Sequence, residues 1–190
     1  MGFGMENMKH KEGAFFSIHH SSFMRILGID PGTATVGWGI LEIDEGRMTP
    51  IAYGHISTSS KISLSERIAE ISENLREIST RYAPNEASVE KIFFFKNQKT
   101  VIAVSQARGA ILLTLETLGI RLFEYTPLQV KQSLTGYGRA EKKQMQIMIK
   151  SILKLSAIPK PDDVADALAL ALCHANSRKM NSILENKNFK

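Results

Sequence analysis

The hydrophobic period of this chain changes at Ser63, and the change restricts it to folds that combine a sheet with helices. Before that point, segments 24–30 (MRILGID), 35–43 (TVGWGILEI) and 48–57 (MTPIAYGHIS) carry strand signals, and the tight turns PGT and DEG between them predict a β-meander. After it, Leu64, Ile68, Ile71, Leu75, Ile78 and Tyr82 recur every three or four residues, with a capping-box pattern at Ser63 and Glu66. This is an amphipathic helix that should close near Pro84. A strand over 87–93 follows, then a helix of about 20 residues capped at Gly119. Residues 120–125 form the next strand, and Thr126 with Pro127 opens a short helix. A helix over about 140–155 follows the GYGR loop, and Pro161 opens the last one. The order β-β-β-α-β-α-β-α-α-α predicts an α/β fold, a mixed five-stranded sheet flanked by helices on both faces.

At 190 residues, 43% of them apolar and 23% charged, the chain suits one domain with its own core. Residues 1–23 lack sustained periodicity and read as a disordered leader or an extension ahead of a functional start at Met24. The domain is expected over 24–178, with a polar, basic tail over 179–190. No apolar run approaches the roughly 20 residues of a membrane helix, and none makes a signal-peptide core, so a cytoplasmic location without a membrane is expected. A single cysteine, Cys173, in a Leu/Ala run excludes a disulfide framework and a thiolate zinc site, leaving a small core side chain. The net charge of +5 favours a polyanionic partner.

Four acidic residues stand where carboxylates are costly. Asp30 ends the apolar strand ILGID, Glu90 comes late in SVEKIF, and Asp163 and Asp166 lie at i and i+3 in DDVADALALAL. Burying an ionised carboxylate without a partner costs several kcal/mol or forces it to neutralise. Carboxylates that converge from distant segments point to a hard divalent cation with oxygen ligands. Each also has a plainer reading. Asp162 and Asp163 suit the free N–H groups of a helix start, Asp30 suits an Asx turn before Pro31-Gly32, and Glu90 suits an edge strand. Asp166 resists that treatment, because Val164, Ala165, Ala167 and Leu168 surround it on a helix apolar on most faces. His55 and His174 have no partner at ligand spacing and read as structural, with His174 a neighbour of the acids.

The stretches LGIDPGTATVGWGI, EKIFFFKN, QARGAI, FEYTPLQVKQSLTGYGRAEKKQMQ and DDVADALALAL occur in this order from Met24 to about Ser177. IDPGT alone is shared with sugar kinases and actin-like ATPases, whereas VKQ, GYGRAEK and DDVADALA at this spacing are specific. On these residues the chain resembles the RuvC family of crossover-junction endodeoxyribonucleases, bacterial Holliday junction resolvases with a ribonuclease H-like fold. The resemblance implies an enzyme that resolves four-way DNA junctions by paired symmetric nicks, giving 5′-phosphate and 3′-hydroxyl ends. It places Asp30, Glu90, Asp163 and Asp166 on the catalytic acids, holding two Mg²⁺ for which Mn²⁺ substitutes. It also implies DNA contacts from Lys131, Arg139 and Lys142, and a base-stacking wedge at Phe93. Gln106, Arg108 and Gly109 fall in the region of a twofold homodimer, and the family works with the RuvA–RuvB branch-migration complex. The rival readings are a nuclease of the same fold acting on RNA or on other DNA, and an actin-like nucleotide-binding protein. The latter would need a second phosphate loop, and none is apparent in the sequence.

Overall fold

A computed structural model describes residues 23–91 and 98–188. Strands β1 (Met24–Asp30), β2 (Thr35–Asp44) and β3 (Arg47–Ser57) form the antiparallel meander expected from their turns. Helix α1 (Leu64–Tyr82) begins at Ser63, whose hydroxyl and the Glu66 carboxylate complete the capping box. It carries the chain across to β4 (Glu86–Glu90), which lies beside β1 and parallel to it. Helix α2 (Gln98–Thr117) then leads to β5 (Arg121–Tyr125), parallel to β4. The sheet order is β3-β2-β1-β4-β5. Three helices complete the chain: α3 (Pro127–Thr135), capped by Thr126, α4 (Lys142–Ile152) and α5 (Asp162–Asn188).

Alternation along the strands divides the core in two. Leu27, Ile29, Val36, Ile40, Ala87 and Val89 face α1 and α2, packing on Ile71, Leu75, Ile111 and Leu115. Ile26 and Leu41 face the other way and pack with α3, α4 and α5 through Val130, Ile149, Leu168 and Leu172. Helices therefore cover both faces of a mixed five-stranded sheet, as expected. Cys173 is buried in the second layer, as expected of a small core side chain.

Three boundaries differ from the sequence reading. Strand β4 ends at Glu90 instead of running to residue 93, helix α4 is shorter than 140–155, and α5 continues through residue 188, where a tail was expected from 179. Helix periodicity fades in a polar segment even when the backbone continues, so the sequence marks the end of the buried face and not the end of the helix. A glycine inside a helix, as Gly109 is, suggests the close approach of another backbone. Among the described residues nothing lies within 4 Å of the position its Cβ would take. No described helix is long and apolar enough to cross a membrane.

Candidate active site

Asp30 is the last residue of β1 and Glu90 the last of β4. The two strands are parallel neighbours, with Ile29 opposite Val89, so both acids leave the sheet at adjacent carboxyl ends. Open α/β sheets bind ligands at that edge. Ile26, Gly28 and Asp30 share the face that looks toward α5, because residues two apart on a strand point the same way.

Glycines on that face let α5 close over the sheet. A Cβ on Gly28 would overlap the Ala167 carbonyl, and one on Gly37, which is paired with Asp30, would overlap the carbonyl of Asp163. With no side chain at these positions the α5 backbone rests directly on β1 and β2. That contact carries Asp163 and Asp166 to the sheet edge, where their charges act on Asp30.

The electrostatics report the convergence. Burial, followed by the charges of Glu90, Asp166 and Asp163, pushes the Asp30 carboxyl from 3.8 to about 8, with Lys142 opposing. Burial and the Asp166 charge raise Glu90 as well, again against Lys142. Burial raises Asp166, and the Lys142 ammonium offsets only part of that. Burial acts to lower Lys142, but Asp166 and Asp162 outweigh it and hold the ammonium above its ordinary range. Its Nζ lies 3.3 Å from Asp166 Oδ2 and 3.4 Å from Asp162 Oδ2.

Carboxyl groups that cannot all remain charged together form a donor set suited in kind to a hard dication. Among the described residues, no three ligating side chains already surround a common point at ligand distance. Lys142 instead pairs with one of the four, Asp166. The donors therefore fit by type and by the strand and helix ends that carry them.

The basic residues border the same place. Glu90, Lys131, Lys142 and Asp166 line a cleft of about 220 Å³ whose floor includes Val130, Met145 and Leu170. Arg139 is exposed between α3 and α4. Phe93 lies outside the described residues. A larger hollow of about 680 Å³ between Trp38 and the end of α1 has one carboxylate, Glu77, and so lacks a site's chemistry. Asp162, read as a helix-start acid, is turned toward α4. Its Oδ1 accepts from Lys160 Nζ at 3.1 Å and from Gln146 Nε2 at 3.0 Å.

Sequence spacing did not reveal the setting of His174, although its reading as structural agrees with the burial. Its Nε2 lies 2.7 Å from Glu86 Oε2, its Nδ1 lies 2.7 Å from the Tyr125 hydroxyl, and Phe123 stacks on the ring with centroids 4.1 Å apart. Arg178 donates to Glu86 at 2.6 Å, and Arg121 pairs with the same carboxylate. This network ties β4 and β5 to α5, the elements that carry Glu90 and Asp166. His174→Ala should lower stability by about 2–4 kcal/mol, since it takes a partner from the Tyr125 hydroxyl and another from a buried carboxylate and leaves a cavity under Phe123. Burial lowers His174 below 6.5, so the unfolded chain takes up its proton first as pH falls. Burial acts to raise Glu86, but Arg121, His174 and Arg178 outweigh it and the net shift is downward. Both groups bind more protons when unfolded, so both contributions are present at neutral pH. The His174 part is lost as pH falls below about 6.5 and the Glu86 part in more acid solution. Thermal melts of wild type and H174A from pH 8 to pH 4 should converge toward acid; a constant gap between them would contradict the assignment.

A family model for the crossover junction endodeoxyribonuclease RuvC matches residues 26–174. The crossover junction endodeoxyribonuclease RuvC of Syntrophomonas wolfei is 49% identical over 162 residues, which cover 85% of this chain and 94% of the relative. That of Brevibacillus brevis is 50% identical, covering 85% of this chain and 98% of its own length. A solved structure of Thermus thermophilus RuvC in complex with Holliday junction substrate superposes with a TM-score of 0.78 at 33% identity, covering 83% of this chain and 96% of that one. The fold is thus ribonuclease H-like. With the match running from β1 into α5 and relatives about half identical over most of their length, this chain belongs to the RuvC family of crossover junction endodeoxyribonucleases.

Proposed function

We propose that this enzyme resolves four-way DNA junctions by paired symmetric nicks, using Asp30, Glu90, Asp163 and Asp166 to hold two Mg²⁺. The observation that carries this reading is the meeting of the four acids at the carboxyl ends of β1 and β4, in a chain whose Thermus relative has been solved with Holliday junction substrate. When bound there, Mg²⁺ or Mn²⁺ supplies positive charge to the phosphodiester and acidity to the attacking water. The products are a 5′-phosphate and a 3′-hydroxyl.

The chain's own residues bind and orient the DNA. Lys131 and Lys142 reach the cleft from α3 and α4, on opposite sides of the α3–α4 connection that carries Arg139. All three neutralise phosphates, and Lys142, already beside Asp166, stabilises charge that develops at the scissile group. Phe93 follows the Glu90 strand and is assigned to stack on an unpaired base at the crossover. Lys131→Ala and Lys142→Ala should each weaken junction binding and reduce the slope of log affinity against log salt by about one. Fluorescence titrations of a labelled junction at four salt concentrations measure this, and an unchanged slope would remove the residue from the interface.

The enzyme acts as a homodimer, so that two sites face the two equivalent strands of a junction. Helix α2 supports this reading. Ile102 is 69% exposed and Leu113 65%, and with Gln106 and open Gly109 they form one stripe at spacings of four, three and four. The nuclease domain is assigned to 24–178, the location to the cytoplasm, and the cellular partner to the RuvA–RuvB branch-migration complex.

The deciding experiment compares nicking of an immobile four-way junction, a linear duplex and an RNA duplex of equal length across a Mg²⁺ titration. Junction cleavage that requires Mg²⁺ and exceeds the others by about 100-fold is expected, a margin that corresponds to under 3 kcal/mol. Equal cleavage of all three would overturn the substrate, and cleavage in excess chelator would overturn the chemistry.

A further inference from the structure

We propose that Arg108 is a positioning residue of the nuclease site, holding the main chain of Glu90 and through it the Glu90 carboxylate. The proposal rests on the metal-binding role assigned to the four acids. Arg108 lies on α2, on the opposite side of the sheet from α5. Its Nε donates to the Glu90 carbonyl at 3.1 Å, and its Nη2 pairs with the Glu124 carboxylate of β5. The Arg108 side chain is only 18% exposed, so this guanidinium is not a solvated surface group.

The end of β4 needs such a hold. Its ladder with β1 stops at Ile29 and Val89, one residue short of Glu90. Toward β5, Glu90 pairs with Tyr125 and Lys91 N–H donates to the Tyr125 carbonyl at 2.9 Å. The Glu90 carbonyl therefore lies past the last β1 rung. The peptide that joins Glu90 to Lys91 is held toward β5 through its N–H alone, and an unpartnered carbonyl on its other edge would leave that plane tethered on one side only. Arg108 supplies the bond, and the planar fork of its guanidinium lets one group serve both the carbonyl and Glu124, which lies opposite Val89 on β5. The contact fixes one of four donors that must meet around an ion from separate elements. A misplacement of about 1 Å in such a constellation costs on the order of 100-fold in rate.

The test uses the full chain and Mn²⁺ as the probe. Calorimetric titration should show Mn²⁺ binding weakened by about ten-fold or more in R108M. Nicking should fall by about 100-fold at the Mn²⁺ concentration that half-saturates the wild type. Junction affinity measured without divalent ion should stay within about twofold, since Arg108 faces away from the cleft. R108K should fall between, because one ammonium cannot form the planar fork. E124Q should shift Mn²⁺ affinity in the same direction by less. A role confined to stability would lower the melting temperature and leave Mn²⁺ affinity alone. Mn²⁺ affinity within twofold of wild type in R108M overturns the proposal, and if R108M does not fold, the same result in both R108K and E124Q overturns it. If the wild type itself fails to bind Mn²⁺, the metal reading and this proposal fall together; unchanged variants beside a wild type that binds remove Arg108 alone.

Discussion

Asp30→Asn is expected to reduce Mg²⁺-dependent nicking of a four-way junction by at least about 1000-fold while junction affinity changes by no more than about threefold. The charges of the other three acids all act on Asp30, and it ends the strand on which α5 rests. An amide of the same shape keeps the packing but removes the charge that a dication would neutralise. The lysines proposed to meet phosphate lie on α3 and α4, so binding should survive. Single-turnover cleavage with saturating enzyme separates the two effects, and nicking at the wild-type rate would remove Asp30 from the chemistry.

The same substitution should stabilise the metal-free protein. The folded-state carboxyl titrates at about 8 against an ordinary 3.8, so between those values the folded chain holds a proton that the unfolded chain has released. Stability from this group is therefore full below pH 4 and is lost as pH rises toward 8. Asn carries no such dependence. At pH 7 the gain is at most about 4 kcal/mol, taking roughly 1.4 kcal/mol per unit of pKa over the interval from 3.8, and less where side chains relax. In chelator, the melting temperature of D30N relative to wild type should climb from pH 4 to pH 8; a flat difference would show that the four acids are not coupled as described.

Gly37→Ala should be nearly as damaging without touching a charged group. The new methyl would overlap the carbonyl and crowd the Cβ of Asp163, and backbone atoms cannot rotate out of the way. Helix α5 must then shift outward. Overpacking of this kind costs about 1–3 kcal/mol in stability. The functional loss should be larger than that figure suggests, on the order of 100-fold in nicking, because Asp163 and Asp166 move away from Asp30 and Glu90 together. Junction affinity should change little. A G37A enzyme with wild-type rate and melting temperature would mean that α5 does not rest on β2 as described.

Much of this site was legible in the amino-acid order. The four acids stand out as charges in apolar surroundings, Lys131 and Lys142 stand in motifs that resemble the family's, and the capping boxes at Ser63 and Thr126 are local patterns that structure reproduces. The glycines of GWG were visible as residues but gave no signal of their purpose, since the segment they accommodate lies more than 120 positions away in the chain. The Glu86–His174–Tyr125 network was invisible for the same reason. Arg108 reads from the sequence only as part of the region that the resemblance gives to a homodimer, because nothing in the spacing of QARGAI tells which carbonyl its guanidinium will meet.

Sequence alone determined the elements and their order, the strand end that carries Asp30, the late position of Glu90 in its strand, and the family. These depend on hydrophobic period, caps and short motifs, which act over a few residues. Tertiary structure alone decided that β4 lies beside β1, that α5 settles on Gly28 and Gly37, that Lys142 faces Asp166, and that Arg108 holds the end of β4. Those outcomes depend on how one packed surface is offset against another. Local periodicity fixes which face of an element is buried and leaves the offset to the complete core.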